Sequence, residues 1–512
     1  MLLVDLFLQN SVKNLTRPAF LYLGKETAYG DLRKQISRLS YLYQNEVGQF
    51  ARVAFLARNS AAYITTFFAL SNNRAVTIPI DPSLPQEEIA DWLKRTEATH
   101  IAVTGDLVGM TRQLLSRERI VIPIIEMERK QGGEYDTAFS PPPESHPIDT
   151  DVVLILRTAG STGKPKPVAF THKQLCHAGP ALRGAYKVLP TDRFLTKLSW
   201  ANPFAFVHGM LFPLLVGSTV VIDHGLESKE FVEFLRESRV TRLLGIPPFF
   251  LKLLIVCKNE KQPVPSFKSI TVTQGNLSAE LRKAFSLFKI SVLQCYGMTE
   301  NAWTISMQSL EVEPTADAEG SELELALGGR PLPGLKYKVL DDTGEEIEGT
   351  RERMGQLAVS GPTVMQGYRG LEKETKSAIR GTWLYTGDIV KLEGTGEDLR
   401  IHFIGRKDDL LIIDGEAVPL RRVDKALKGI VGVQDAASFV VNNSRGERLL
   451  VAAVVKIQNS ALSEKQIKEQ AGSKLPGHFV PQYIAFTDHI PRDAAGNVAY
   501  HRLRGQFSEI AG

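Results

Sequence analysis

The sequence predicts an α/β protein: a large N-terminal domain of several wound subdomains, sheets covered by helices, followed by a small α+β domain. Three observations lead there. A chain of 512 residues is too long for a single core. In the first hundred residues, strand-like runs at 51–57 (ARVAFLA), 75–80 (AVTIPI) and 100–105 (HIAVTG) alternate with helical periodicity, the pattern of a mostly parallel, helix-covered sheet. A second series, FLTKLSW, STVVID, TRLLGI, SITVTQ and ISVLQC, repeats the alternation and predicts a second wound subdomain.

The opening MLLVDLFLQNSVKN reads as an amphipathic helix; it carries Asp5 and lacks a basic leader, so no signal peptide is expected. Residues 131–150, rich in Pro, Gly and acid, read as a surface connection, and the acidic stretch 309–324 as a solvated loop. The uncharged run 203–222 has the length of a membrane span. Gly209, Pro213, Gly217 and Ser218 interrupt it and its end STVVI reads as a strand, so no span is expected. Residues 410–512 mix strand and helix patterns in the manner of an α+β unit.

With 43% hydrophobic and 23% charged residues the chain is an ordinary globular one. Lys plus Arg number 61 against 57 for Asp plus Glu, which gives no bulk reason to expect nucleic acid. Cys176, Cys257 and Cys295 form no paired motif, so a reduced, cytoplasmic setting is expected and a zinc site is not.

Chemistry concentrates at Asp151–His172, DVVLILRTAGSTGKPKPVAFTH. A β-branched run breaks into small hydroxylated residues. Gly160 and Gly163 allow backbone N–H groups to converge on phosphate oxygens, Thr158, Ser161 and Thr162 add hydroxyls, and Lys164 and Lys166 add cations. A Walker A loop would need glycine at Thr158 and Ser or Thr at Pro165, so that motif is excluded. On these residues alone an ordinary polar loop after a strand remains the alternative. Further on, Tyr296-Gly297-Met298-Thr299-Glu300 follows a strand, where open α/β sheets bind ligands; by itself it reads as a helix start.

TAGSTGKPKPVAFTH resembles the phosphate-loop signature of the acyl-adenylate-forming enzymes: acyl-CoA synthetases, free-standing adenylation domains and luciferases. ETAYGDL at 26–32, VTIPIDPSLPQEEI at 76–89, YGMTE, GQLAVSGPTVMQGY, WLYTGDIV and Gly405-Arg406-Lys407-Asp408-Asp409 resemble further elements of that family, in its order. The resemblance implies a domain of residues 1–405, a hinge at 406–409 pivoting on Asp408, and a small domain at 410–512. It places Tyr296 near adenine, Thr299 at the α-phosphate, Glu300 and Thr162 at Mg²⁺, Lys166 at the reacting phosphate, and Asp388 and Arg406 at the ribose. Without it, Asp388 is an ordinary turn aspartate.

Several positions depart from the family pattern. Ala159 stands for serine, Pro167 for glycine and Arg422 for glutamate. In PRDAAGNVAYHRLR at 491–504 the closing lysine is Asn497, and no lysine occurs after Lys474. Asparagine donates hydrogen bonds without charge. For the acyl pocket, Phe206 takes the family's usual histidine position, His208 lies two residues on, and Thr273-Gln274-Gly275-Asn276 replaces a glycine-rich wall. No aspartate near Phe206 could pair an amino acid's ammonium group.

The resemblance therefore implies an ATP- and Mg²⁺-dependent ligase that converts a small carboxylic acid to acyl-AMP. It then passes the acyl group to CoA or to the phosphopantetheine of a carrier protein. The rival is a degenerate member that binds nucleotide or acyl-adenylate but adenylates poorly, for which Asn497, Pro167 and Arg422 speak.

Overall fold

The computed structural model describes residues 2–127, 151–158, 164–261, 263–265, 267–275, 277, 279–310, 326–341, 343–349, 352–407, 412–413, 416–418, 420–442, 445, 448–458, 460–492, 498 and 500–507. The expected connection at 131–150 lies outside them. The expected strands at 51–57, 75–80 and 100–105 form as Arg52–Leu56, Val76–Ile80 and His100–Val103, all parallel and buried along their whole length. Helices cover both faces, which is why these strands read as unbroken apolar runs without alternation.

This seven-stranded sheet continues through Val152–Arg157, parallel to Val76–Ile80, and turns back antiparallel into Pro167–Thr171. A two-residue strand, Gly367–Tyr368, forms one edge, pairing with Val168 and Ala169, and Ile124–Glu126, parallel to His100–Val103, forms the other. Pro167 sits at the first position of its strand, where a missing N–H costs no ladder bond, and its carbonyl accepts Arg369 N–H at 2.9 Å.

The second sheet is larger. Its parallel part runs Ser291–Tyr296, Ser269–Val272, Arg242–Gly245, Arg193–Thr196, Thr219–Ile222 and Pro18–Tyr22, in that spatial order. Five of these are the strands of the second sequence series; Pro18–Tyr22, crossing over from the chain's start, was not among the expected strands. Beyond Ser291–Tyr296 the same sheet becomes an antiparallel run through Ser306–Leu310, Ala326–Pro331, Arg400–Arg406, Trp383–Glu393, Glu352–Ser360 and Lys336–Leu340. The loop expected at 309–324 is corrected at its start: Ser309 and Leu310 pair with Leu293 and Val292, since the antiparallel partner keeps the ladder going. Residues 311–325 lie outside the described set.

The opening helix forms as Leu3–Val12, with Leu3, Val4 and Phe7 buried in the main core. The uncharged run near 203–222 forms a seven-residue π-helix, Ala205–Leu211, a short helix Phe212–Val216 and the strand Thr219–Ile222. Among the described residues no helix is long and apolar enough to cross a membrane. Near the C-terminus, strands Val433–Asn442, Arg448–Lys456 and Tyr483–Phe486 form a separate sheet. Helices Leu420–Lys428 and Glu464–Gly472 share one of its cores and Tyr500–Gln506 another, the α+β unit expected.

Candidate active site

Three segments far apart in sequence meet where the two sheets adjoin. The hairpin Val152–Arg157/Pro167–Thr171 carries the first. Its mouth is closed by Thr158 N–H to the Lys166 carbonyl at 3.2 Å and by Lys166 N–H to Thr158 Oγ1 at 2.9 Å. Thr158 and Lys166 are half-buried and Lys164 is exposed. Gly160, Ser161, Thr162 and Gly163 lie outside the described residues.

The second segment leaves the strand Ser291–Tyr296 as a single 3-10 turn, Thr299–Asn301. Thr299 and Glu300 are buried there. Ala302 and Trp303 follow, both left-handed at φ 54° and 57°. The turn folds back so tightly that a Cβ on Gly297 would stand 2.6 Å from Trp303 Cα, so only glycine fits.

The third segment, residues 363–369, ties the other two together. Gln174 Nε2 donates to the Val364 carbonyl at 2.6 Å, Met365 N–H to the Glu300 carbonyl at 2.8 Å, and Gln366 N–H to the Ala169 carbonyl at 2.9 Å. At its end, the Tyr368 hydroxyl donates to Glu300 Oε1 at 2.7 Å, and the Lys166 ammonium stands 4.9 Å from the Tyr368 ring centre. Burial raises the Glu300 pKa, while the Tyr368 hydrogen bond and the charges of Arg406 and Lys166 pull it back.

A second carboxylate lies on the neighbouring strands. Asp388 and Arg406 are cross-strand partners, and Arg406 Nη1 donates to Asp388 Oδ1 at 2.7 Å and to the Thr386 carbonyl at 3.0 Å. The Tyr296 hydroxyl donates to Asp388 Oδ2 at 2.6 Å, so both carboxylate oxygens are engaged. Gly387, at φ 72°, lets the guanidinium pass; a Cβ there would meet Arg406 Nη2 at 3.1 Å. Burial raises the Asp388 pKa against the opposing pull of Arg406 and Tyr296. Among the described residues, buried Arg406 Nε has no hydrogen-bond partner, a donor that fits an incoming oxygen atom.

Phe206 and His208 lie on the π-helix, both fully buried. Phe206 packs edge-on against Phe67, with ring centres 5.1 Å apart. His208 Nε2 lies 2.9 Å from the Trp303 carbonyl, which can only accept, so Nε2 carries the proton and Nδ1 accepts from the Tyr186 hydroxyl at 2.9 Å. Burial lowers its pKa to about 3, with the Trp303 bond opposing, so the ring is neutral. Gln274, at φ 56°, and Gly275 follow the strand Ser269–Val272, and the Gly275 carbonyl accepts from Gln294 Nε2 at 3.0 Å.

Glu300, Lys166, Tyr296, Asp388 and Arg406 are thus brought together, whereas Asp408 and Asn497 lie outside the described residues. Sequence reasoning did not single out Tyr368, Thr386, Tyr186 or Trp303. Tyr368 stood in GPTVMQGY, used only for its order, and nothing in periodicity marks a phenol that bonds a residue 68 positions away.

The model of the AMP-binding enzyme family matches residues 7–369, and that of the AMP-binding enzyme C-terminal domain matches residues 422–497. The chain belongs to the AMP-binding enzyme family. Among members of that family, it is 26% identical to a feruloyl-CoA synthase of Amycolatopsis sp. over 485 residues, covering 94% of each chain. It is 25% identical to a 2-succinylbenzoate–CoA ligase of Geobacillus sp. (strain WCH70), covering 97% of this chain and 98% of the relative. The ATP-bound MatB of Rhodopseudomonas palustris shares the fold with a TM-score of 0.78 at 20% identity, over the whole of both chains.

Proposed function

We propose that this AMP-binding enzyme is an ATP-dependent carboxylate–CoA ligase. A carboxylate oxygen attacks the α-phosphorus of ATP and pyrophosphate leaves, giving acyl-AMP. A thiol then attacks the acyl carbon, AMP leaves, and a thioester forms. The observation that carries this reading is the single turn Tyr296–Glu300, which joins two clusters. Tyr296 engages Asp388, which also holds Arg406, on one side, while Glu300 engages Tyr368, over whose ring Lys166 stands, on the other. A vicinal diol suits the first cluster, which offers carboxylate acceptors and the orphan Arg406 donor; a phosphate chain suits the second.

Mg²⁺ fits the donor set. It prefers one or two carboxylates together with substrate phosphates over a closed protein cage, and among the described residues no group of three or more His, Cys, Asp or Glu could hold a metal. Glu300, with the Thr162 hydroxyl, would hold it, and when bound it neutralises charge on the phosphate oxygens. Lys166 supplies a cation to the same phosphates, and Thr299 contributes its hydroxyl to the α-phosphate. The loop residues Thr158, Gly160, Ser161, Gly163 and Lys164 cradle the rest. Phe206, His208, Gln274 and Gly275 border the acid pocket, where the buried, neutral His208 adds no charge.

CoA is the acceptor we favour, because the relatives above are named as CoA ligases. Carrier-bound phosphopantetheine presents the same thiol and is the second candidate. The relatives give the non-adenylating reading no support. Three buried free cysteines support a cytoplasmic setting. Residues 406–409 serve as the hinge on which the small domain turns, Asp408 at its pivot.

The test is exchange of labelled pyrophosphate into ATP with a panel of aryl, fatty and amino acids, followed by CoA or a carrier protein as acceptor. Acid-dependent exchange is expected with at least one aryl or fatty acid. Absence of exchange across the panel would overturn the reading.

A further inference from the structure

Glu300 and Lys166 face a problem that any site of this kind must solve. A buried carboxylate and a nearby ammonium attract each other, and a direct ion pair would neutralise the two groups that should meet phosphate and metal. Both residues are described, and no Lys166–Glu300 pair within 4.0 Å forms among the described residues. Tyr368 stands in contact with both. Its hydroxyl takes Glu300 Oε1 and its ring face takes the Lys166 ammonium.

The backbone that carries Tyr368 is held on every side. Tyr368 N–H donates to Thr375 Oγ1 at 2.9 Å, Arg369 N–H to the Pro167 carbonyl at 2.9 Å, and Met365 N–H to the carbonyl of Glu300 itself. The buried Arg369 side chain adds a bond from Nη2 to Glu97 Oε2 at 2.8 Å. The phenol is therefore anchored to the hairpin bearing Lys166 and to the turn bearing Glu300.

We propose that Tyr368 is a positioning residue for the first half-reaction, interposed between Glu300 and Lys166 so that the carboxylate stays oriented and the two charges stay apart before Mg·ATP arrives. The inference rests on the adenylation reading above. It separates two contacts that two substitutions can separate. Tyr368→Phe removes one oxygen atom and keeps the ring under Lys166; Tyr368→Leu removes both contacts and lets the ion pair form.

The experiment titrates α,β-methylene-ATP, whose bridging carbon prevents transfer of the adenylyl group, by calorimetry in EDTA and at graded Mg²⁺, beside pyrophosphate exchange. Removal of a partner behind a metal ligand typically weakens metal affinity about 10–100-fold. Tyr368→Phe is expected to raise the Mg²⁺ concentration for half-maximal nucleotide affinity by about tenfold or more. Its affinity in EDTA should stay within about twofold of wild type, because the ring contact is intact. Tyr368→Leu should also lose affinity in EDTA, by about threefold or more. In exchange, kcat and the Mg²⁺ requirement should change while KM for the acid does not.

An unchanged Mg²⁺ dependence in Tyr368→Phe would overturn the proposal, as would identical behaviour of the two variants in every arm. Should the leucine variant fail to fold, the phenylalanine variant decides alone. If wild-type protein exchanges no pyrophosphate with any acid, the adenylation reading fails, while the two binding arms still test the tyrosine.

Discussion

Asp388→Asn changes one atom's identity and keeps the side chain's shape. The carboxylate accepts Arg406 at 2.7 Å through Oδ1 and Tyr296 at 2.6 Å through Oδ2, in a position only 4% exposed. An amide has one acceptor oxygen. If that oxygen keeps Arg406, the amide N–H₂ faces Tyr296, whose phenol can turn and accept, so the scaffold survives. What is lost is the negative charge and the second acceptor for a ribose hydroxyl. A hydrogen bond to a charged group contributes about 1.5–3 kcal/mol, which corresponds to about 10–100-fold in affinity. KM for ATP in pyrophosphate exchange should rise by that factor, with KM for the acid unchanged. The thermal midpoint without nucleotide should shift little, and its increase on adding ATP should shrink. An ATP KM within about twofold of wild type would refute the assignment of this carboxylate to the nucleotide, since even one lost charged bond exceeds that.

Acid should weaken the fold through His208. Its folded pKa, about 3, lies below the ordinary value of about 6.5, so its contribution is complete above pH 6.5 and is lost as pH falls towards 3. By pH 5 the loss is about 2 kcal/mol, and melting curves of His208→Gln should show a shallower slope between pH 7 and 5 than wild type; parallel slopes would count against it. Gly297→Ala places a Cβ 2.6 Å from backbone that cannot rotate aside, which should cost about 1–3 kcal/mol and lower the melting midpoint by several degrees. Asn497→Lys restores a cation at the closing motif and should raise the exchange rate, by up to about 10²–10³-fold if the charge alone is limiting. No change there would mean that position 497 does not reach the phosphate.

The wound sheets were legible because strands covered on both faces write themselves as unbroken apolar runs, as in VAFL at 53–56 and VVLIL at 152–156. The antiparallel return Pro167–Thr171 and the two-residue strand Gly367–Tyr368 were not, since each is too short to show a period and exists only because its partner is there. Charged residues were legible through motif order: it singles out Glu300, Asp388 and Arg406, which the fold sets against Tyr368, Tyr296 and one another. Tyr368 and Trp303 escaped because an aromatic ring reads as core. Its polar tip acquires meaning only from what stands across from it, which here is Glu300 for Tyr368 and a Cβ-free Gly297 for the Trp303 backbone. The displaced His208 was visible as a histidine, but its fixed proton and its bracing of Tyr186 against the Trp303 carbonyl follow from a π-helix that no spacing announced.

The seam made by Gln174, Glu300, Ala169 and residues 364–369 bears on how the protein is born as well as on how it works. Its contacts between Gln174 and Val364, Met365 and Glu300, and Gln366 and Ala169 close loops of 65 to nearly 200 residues, and such contacts recoup their entropy only after the local structure on both sides has formed. A chain with one sheet complete and the other still open has strands and a core but no seam. Anything that binds across the seam therefore recognises finished molecules alone, and by mass action draws the population towards them. A ligand that spans the seam would in this sense also proofread folding.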